Sequence, residues 1–157
     1  RELSLVECRV SDADLAPLDR LPALEVVNLA GTDVGSDGMT RLAACPSLKA
    51  VFLTGTKVDG DGVRNLVDGK ARLETLVVDK TPVDDRGLAF IGGTPSITVL
   101  SLAESPRVTK DGVKHLVHLR NLTFLDVHGC GGLTNADLAG LKAAVPGCRV
   151  VLPSGER

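Results

Sequence analysis

A leucine-rich pattern recurs along the whole chain at a nearly constant spacing, and it limits the possible folds more than any other feature. The motif carries apolar residues at its first, fourth and sixth positions. Full copies begin at residues 24, 48, 73, 97 and 122, a partial copy covers residues 3–5, and a degenerate copy covers residues 148–151. Starts that lie 24 to 26 residues apart predict a stack of short structural units. Each unit buries its apolar face against the next one.

The second half of each repeat is also periodic. Three positions after the last apolar strand position comes a small residue: Cys8, Thr32, Thr56, Thr81, Ser105 or Cys130. Further on, two apolar residues are spaced i, i+3, which is one face of a short helix. These pairs are Leu15/Leu18, Met39/Leu42, Val63/Leu66, Leu88/Ile91, Val113/Leu116 and Leu138/Leu141. Each repeat is therefore predicted to be a strand followed by a short helix.

The predicted fold is an α/β solenoid of about six repeats, with a curved parallel sheet inside and short helices outside. We assign residues 1–153 to one domain and residues 154–157 to an unstructured tail. Val150, Val151 and Leu152 are expected to form a last strand, which Pro153 would end. Gly62 and Gly112 are expected to begin helices where the backbone turns tightly.

Composition excludes several classes of protein. The formal net charge is −2, which argues against a broad electrostatic surface for nucleic acid or anionic lipid. No apolar run approaches the roughly 18 residues of a membrane span, and no secretory signal pattern is present. We therefore expect no nucleic-acid partner and no membrane association. The chain starts at Arg1 rather than Met, so upstream segments are expected to be missing.

The four cysteines are Cys8, Cys45, Cys130 and Cys148, and none of them forms a C-x-x-C pair. Two disulfides are one alternative. However, Cys8 and Cys130 occupy the same repeat position five repeats apart, which is roughly 24 Å at the usual spacing of parallel strands. That distance is far beyond disulfide reach. We therefore expect free thiols, mostly as small core residues, and a reducing compartment such as the cytoplasm.

The repeat resembles that of the leucine-rich-repeat family. The segment from Leu29 to Leu48, LAGTDVGSDGMTRLAACPSL, is similar to its cysteine-containing subclass, which is typical of F-box/LRR substrate receptors. The 24-residue spacing and the ending from Leu141 to Cys148 resemble bacterial members, including GALA-type effectors and planctomycete repeats. The resemblance spans essentially the whole chain and implies the solenoid fold. It says less about function, because one fold serves many functions.

The outward positions of the predicted strands form the candidate binding surface. Across the first six strands, none of these eighteen positions is Lys or Arg, and three are acidic. Apolar and aromatic side chains lie close to acidic ones on the later strands. An apolar patch with a polar rim is typical of an interaction site. The predicted partner-binding residues are Phe52, Val77, Asp79, Val99, Phe124, Asp126 and His128. The alternative for the two Phe is that their rings only cover neighbouring side chains.

Three other arrangements suggest chemistry only superficially. Ser101, Asp126 and His128 share a face, but Ser101 would stand beside Asp126, whereas a triad needs Ser next to His. His115 and His118, spaced i, i+3, could ligate a metal, although solvated histidines are the simpler interpretation. Residues 58–62 faintly resemble a calcium loop but lack its remaining carboxylates, so helix capping explains them better. We predict no catalytic residue, cofactor or metal.

The leading functional hypothesis is a non-enzymatic module that binds another protein on the sheet face. The alternative is an accessory repeat segment of a larger protein, such as an F-box-type substrate receptor or a bacterial effector, whose activity lies elsewhere. No F-box segment and no ligase domain with a nucleophilic Cys are visible within the chain. If the sheet face does not bind, the helical side around Phe90 and His115 is the next candidate.

Overall fold

The computed structural model describes residues 1–68, 70 and 72–152. Within these residues, strands of three residues alternate with short helices. The strands are β1 (Glu2–Ser4), β2 (Val26–Asn28), β3 (Ala50–Phe52), β4 (Thr75–Val77), β5 (Val99–Ser101), β6 (Phe124–Asp126) and β7 (Arg149–Val151). The α-helices are α1 (Ser36–Ala43), α2 (Gly60–Val67), α3 (Asp85–Gly92), α4 (Lys110–Val113) and α5 (Ala139–Ala144). Two 3₁₀ helices span Asp12–Arg20 and Lys114–His118.

The strands form one parallel sheet in the order β1-β2-β3-β4-β5-β6-β7. Every strand pairs with its sequence neighbour without a shift, so that Val27 pairs with Val51 and Val51 with Leu76. Because the repeat length is nearly constant, each coil returns the chain to the same register. The predicted fold class, a parallel sheet on one side and short helices on the other, is confirmed. β7, which follows the degenerate copy of the motif, is the seventh strand of the described sheet.

The core lies between the sheet and the helices. The inward-facing residues of β2 to β6 are fully buried, and so is the apolar residue that follows each of these strands on the same side. The predicted i, i+3 helical pairs are also buried, from Leu15 and Leu18 through to Leu138 and Leu141. The two ends of the stack differ, since Leu3, Leu5 and Val10 in the first repeat and Val150 and Leu152 in the last are only partly buried. The period of two in the strands and the i, i+3 spacing in the helices therefore correctly predicted the core.

The small residue after each of β2 to β6 satisfies a buried carbonyl, as expected for Thr and Ser. Thr32 donates its hydroxyl proton to the Leu29 carbonyl at 2.7 Å, and Thr56 does the same to Leu53 at 2.8 Å. Cys130 is a weaker donor, and its thiol lies 3.1 Å from the Leu102 carbonyl. Cys8 departs from the prediction of a core cysteine. It is exposed, and it follows β1 at the edge of the described sheet.

Polar side chains at the starts of α1 and α2 link their two repeats. Asp59 precedes α2 and accepts hydrogen bonds from the Asp61 and Gly62 N–H groups, both at 3.0 Å. Its carboxylate also accepts the Ser36 hydroxyl of the preceding repeat at 2.6 Å. The Ser36 bond is the largest effect on the pKa of Asp59, which it lowers against the smaller opposing effect of burial. Residues 58–62 thus form a helix cap that also ties two repeats together.

The expected role of Gly62 and Gly112 is wrong in its physical reason. α2 begins at Gly60 and α4 at Lys110, so both glycines lie inside the first turn of a helix. Neither glycine has a positive φ. Instead, each one packs against the preceding repeat. A Cβ on Gly62 would lie 2.9 Å from the Cα of Ser36, and one on Gly112 would lie 3.0 Å from the Cα of Asp85.

The turn that follows each strand uses a left-handed backbone conformation that the sequence pattern did not reveal. Three glycines adopt it, Gly31, Gly55 and Gly129, with φ between 69° and 71°. Three charged residues adopt it at the equivalent positions of other repeats: Glu7, Lys80 and Glu104, with φ between 54° and 56°. The position is therefore a constant of the coil, although glycine marks only half of its occurrences.

The assignment of one domain to residues 1–153 stays a prediction. The assigned tail, residues 154–157, and the strand-ending Pro153 lie outside the described residues. β7 covers Arg149–Val151, one residue earlier than the expected strand of Val150, Val151 and Leu152.

Candidate functional site

The outward-facing side chains of the sheet form columns that run across the strands. We call the side that they occupy the concave face. One column follows the first residue of each strand, and a second follows the third residue. The first column reads Glu2, Val26, Ala50, Thr75, Val99, Phe124 and Arg149, and the second reads Ser4, Asn28, Phe52, Val77, Ser101, Asp126 and Val151. The strand register therefore groups five predicted site residues on one face, whereas Asp79 and His128 follow the ends of β4 and β6.

Four of these side chains are apolar and lie on the consecutive strands β3 to β6, and we call them the concave stripe: Phe52, Val77, Val99 and Phe124. Phe52 on β3 pairs with Val77 on β4, and Val99 on β5 pairs with Phe124 on β6. All four are half-buried, so each has area to offer a partner. Three strand spacings separate the two Phe, or roughly 14 Å across the sheet. The stripe shifts by one column between β4 and β5.

Asp79, predicted to border the stripe, is tied into the sheet. Its Oδ1 accepts the hydroxyl proton of Ser101 and also the Ala103 N–H at 2.8 Å. Asp126 is also held locally, because its Oδ1 accepts the N–H of His128 at 2.8 Å. Asp79 and Asp126 are half-buried, and His128 is exposed. Both carboxylates are therefore fixed in orientation before any partner arrives.

None of the eighteen outward positions of the first six strands is Lys or Arg, but the seventh strand adds one basic residue to the concave face. β7 pairs with β6 so that Arg149 stands beside Phe124. Arg149 is exposed and brings one positive charge to the end of the stripe. The last repeat carries only a degenerate copy of the leucine pattern, so the predicted outward positions end at β6. Its pairing with β6 places Arg149 in the column all the same.

The Ser101, Asp126 and His128 group does not have the order of a catalytic triad. Ser101 is 8% exposed, and its hydroxyl proton is donated to Asp79 rather than to an imidazole. In a triad, the serine hydroxyl would donate to histidine. These residues instead make hydrogen bonds within and between neighbouring strands.

The two histidines on the helical side are both exposed. His115 and His118 lie in the 3₁₀ helix Lys114–His118. Within residues 1–68, 70 and 72–152, no group of three His, Cys, Asp or Glu side chains is placed to hold a metal ion. In the same part of the chain, no helix is long and apolar enough to cross a membrane.

Phe90, the third aromatic residue, lies on α3 beside a groove that the sequence did not reveal. The Arg64 guanidinium of α2 lies over the Phe90 ring, 5.7 Å from its centroid. The contact joins consecutive helices about one repeat apart in sequence. Within its own helix, Arg64 lies on the polar face and Phe90 lies beside the apolar i, i+3 positions. Neither position by itself predicts the contact. In the sequence, the small residues Ala89 and Gly93 were the feature that indicated a gap between the helices.

Comparison with known proteins supports the fold and leaves the family open. No protein-family model matches the sequence, and no curated protein matches it by sequence. Solved structures do match, among them TLR13 in a complex with ssRNA13, at 21% identity with a TM-score of 0.63. Internalin inlF of Listeria monocytogenes matches at 15% identity and 0.64, and yeast Rad7, crystallised in complex with Elc1, at 18% and 0.71. The matches cover 87%, 99% and 94% of this chain, respectively.

These similarities define the chain as a leucine-rich-repeat solenoid by fold. The chain spans 20%, 48% and 42% of the three matched chains, which are therefore considerably longer. At these levels of identity, the likeness extends to the fold alone.

Proposed function

We propose that this chain is a non-enzymatic recognition module that binds a partner protein on its concave face. The concave stripe carries the proposal, because the register aligns two half-exposed Phe and two Val on neighbouring strands. Aromatic anchors tend to supply a large share of binding energy in protein interfaces. Asp79, Asp126 and His128 form the polar margin of the same site.

The charges beside the stripe favour an apolar partner surface with a basic contact. Asp79 and Asp126 are held by hydrogen bonds, so little side-chain entropy is lost when they pair with a cation. Arg149 alone among the β7 residues brings an opposing charge. This balance also supports a protein rather than a nucleic acid as the ligand, since nucleic-acid sites are strongly basic. The TLR13 complex with ssRNA13 makes RNA an outcome worth testing.

The second candidate is an accessory repeat segment of a larger protein, such as an F-box-type receptor or a bacterial effector. The observation that favours it is the length of the structural neighbours, of which this chain spans less than half. In that case the concave face would present partners to an activity located elsewhere. We also propose a reducing, cytoplasmic setting, which the four free thiols support.

The proposal is tested by substituting the stripe and measuring binding and fold together. The partner is first captured from the source organism with the wild-type chain, with and without RNase treatment. Phe52→Asp and Phe124→Asp should each weaken binding by about thirty-fold or more, as loss of an anchor residue does. Leu21→Asp is the matched control, because Leu21 is an exposed apolar residue that lies outside the sheet.

Circular dichroism separates the possible outcomes. Unchanged spectra with lost binding support the proposal. If both variants fold and keep the partner, then the stripe is not the interface. Capture that RNase abolishes would replace the protein partner with RNA. Unfolding of Phe52→Asp would show that its ring belongs to the core.

A further inference from the structure

A groove on the helical side lies between α2 and α3, and it is separate from the concave stripe. It has a volume of about 390 Å³. Its lining includes Arg64, Val67 and Asp68 of the α2 repeat and Ala89, Phe90 and Gly93 of the α3 repeat. We call it the α2–α3 groove.

The groove exists because α3 carries small residues on its outer surface. Ala89 takes the position that Arg64 holds one repeat earlier, and Gly93 takes the position of Asp68. The missing side-chain volume opens a gap beside the α2 helix. The floor of this gap is apolar: Val67 is almost fully buried, and Ala89 and Phe90 are half-buried. An apolar side chain from outside would be covered on several sides there.

The positive charge of Arg64, at one wall of the groove, is held in place by the Phe90 ring. The Arg64 guanidinium lies over the Phe90 ring, a cation–π arrangement that favours one orientation of a long side chain. The ion pairs formed among residues 1–68, 70 and 72–152 do not include Arg64. An arginine stacked on an aromatic ring keeps N–H groups at its edge free for a carboxylate.

The opposite charge stands further along the same wall. Asp68 is exposed and follows Arg64 by four residues, yet these two described residues form no ion pair with each other. A carboxylate ligand would be attracted by Arg64 and repelled by Asp68. The two charges therefore give the groove a direction, with its anion-binding end at Arg64.

We infer that the α2–α3 groove binds a short segment of a partner protein that carries an apolar side chain next to an acidic residue. The apolar side chain packs on Val67, Ala89 and Phe90, and the carboxylate pairs with Arg64. The concave stripe faces the other side of the sheet, so this inference does not depend on the proposed function. The chain would then have two recognition surfaces with opposite preferences for charge.

The test uses two synthetic peptides that differ by one charge, acetyl-Ala-Leu-Glu-Ala-amide and its Gln counterpart. Each is titrated into the ¹⁵N-labelled full chain at low salt, and backbone amide shifts are followed by NMR. The Glu peptide should perturb the amides of Arg64, Asp68, Phe90 and Gly93. It should bind about two- to five-fold more tightly than the Gln peptide, the scale expected for one exposed ion pair.

Two variants should change the preference for the Glu peptide in opposite directions, and a third serves as a control. Arg64→Gln should abolish the preference for the Glu peptide, and Asp68→Asn should increase it by removing the repulsion. Arg41→Gln is the matched control, because Arg41 is an exposed arginine of α1 that does not line the groove. Equal affinities for the two peptides, shifts confined to the concave strands, or no shifts at millimolar peptide would each overturn the inference. None of these outcomes bears on the Phe52→Asp and Phe124→Asp test.

Discussion

Gly62 and Ser36 stand one repeat apart in sequence, and a Cβ on Gly62 would lie only 2.9 Å from the Cα of Ser36. The same Cβ would lie 2.6 Å from the Ser36 Oγ, the atom that donates its proton to Asp59. The packing of α2 on α1 and the hydrogen bond between their repeats therefore depend on the same absent side chain. The backbone at Ser36 cannot give way as the end of a flexible side chain could.

Gly62→Ala is accordingly expected to destabilise the protein by about 1–3 kcal/mol, the usual cost of overpacking. Helix propensity alone predicts the reverse, since Ala in place of Gly within a helix gains roughly 1 kcal/mol. Gly140→Ala is the matched control, because Gly140 lies in α5 and a Cβ there would meet nothing within 4 Å. Urea denaturation measures both. If Gly62→Ala gained as much stability as Gly140→Ala, the repeats would not be in the close contact described.

The glycines that recur at the starts of the helices show why their role could not be predicted from a single repeat. Gly38, Gly62, Gly87 and Gly112 recur at one repeat position, and that recurrence was visible. A single repeat, however, offers only a tight turn as the reason for a glycine. The real reason is a neighbour about 25 residues away, which becomes visible only when the coils are stacked.

The candidate site was also predictable only in part from the sequence. The concave stripe was predictable because alternation along a strand and a constant repeat length fix which side chains share a face. Arg149 and the contact between Arg64 and Phe90 were not. The first lies in a repeat that carries only a degenerate copy of the leucine pattern, and the second depends on how consecutive helices approach one another.

The turn after β3 provides a second test of stability, one in which backbone conformation acts alone. Gly55 has a φ of +70°, and a Cβ there would meet nothing within 4 Å. Gly55→Ala should therefore cost about 1 kcal/mol through the left-handed backbone and nothing through contact. Lys80 occupies the equivalent turn with a φ of 54°, so Lys80→Ala should cost little. Thermal unfolding of both variants checks this. Equal changes at the two positions would contradict the conformational argument.

Lys70 gives a prediction about pH. It is 7% exposed, and its ammonium group donates to the Cys45 carbonyl. Burial, the largest cause, lowers the pKa of Lys70 below its ordinary value. The unfolded chain therefore binds this proton more tightly than the folded one, and stability should rise with pH between the lowered pKa and about 10.5.

The variant that isolates this effect is Lys70→Met, which keeps most of the buried chain and removes the charge. At pH 7 it should be more stable than wild type, because it avoids burying an ammonium group. The gap should narrow as the pH is raised to 10, since wild-type Lys70 then loses its proton. Urea denaturation at both pH values measures the gap. A difference in stability that stays the same at the two values would show that Lys70 titrates normally.

The cysteines give the last prediction, because the structure places four free thiols in different environments. Cys8 is exposed and should react with a thiol reagent at once in the native protein. Cys148 is partly covered, and burial raises its pKa, so it should react more slowly. Cys45 and Cys130 are buried with their pKa values raised chiefly by burial, and less of the reactive thiolate is present at neutral pH.

Titration of the native chain should therefore show one fast thiol, one slower thiol and two that appear only on unfolding. Unreduced protein in denaturant should give all four, whereas a count of two or none would reveal disulfides. Cys8→Ser should remove only the fast phase, and a fast phase that survived this change would place another cysteine at the surface.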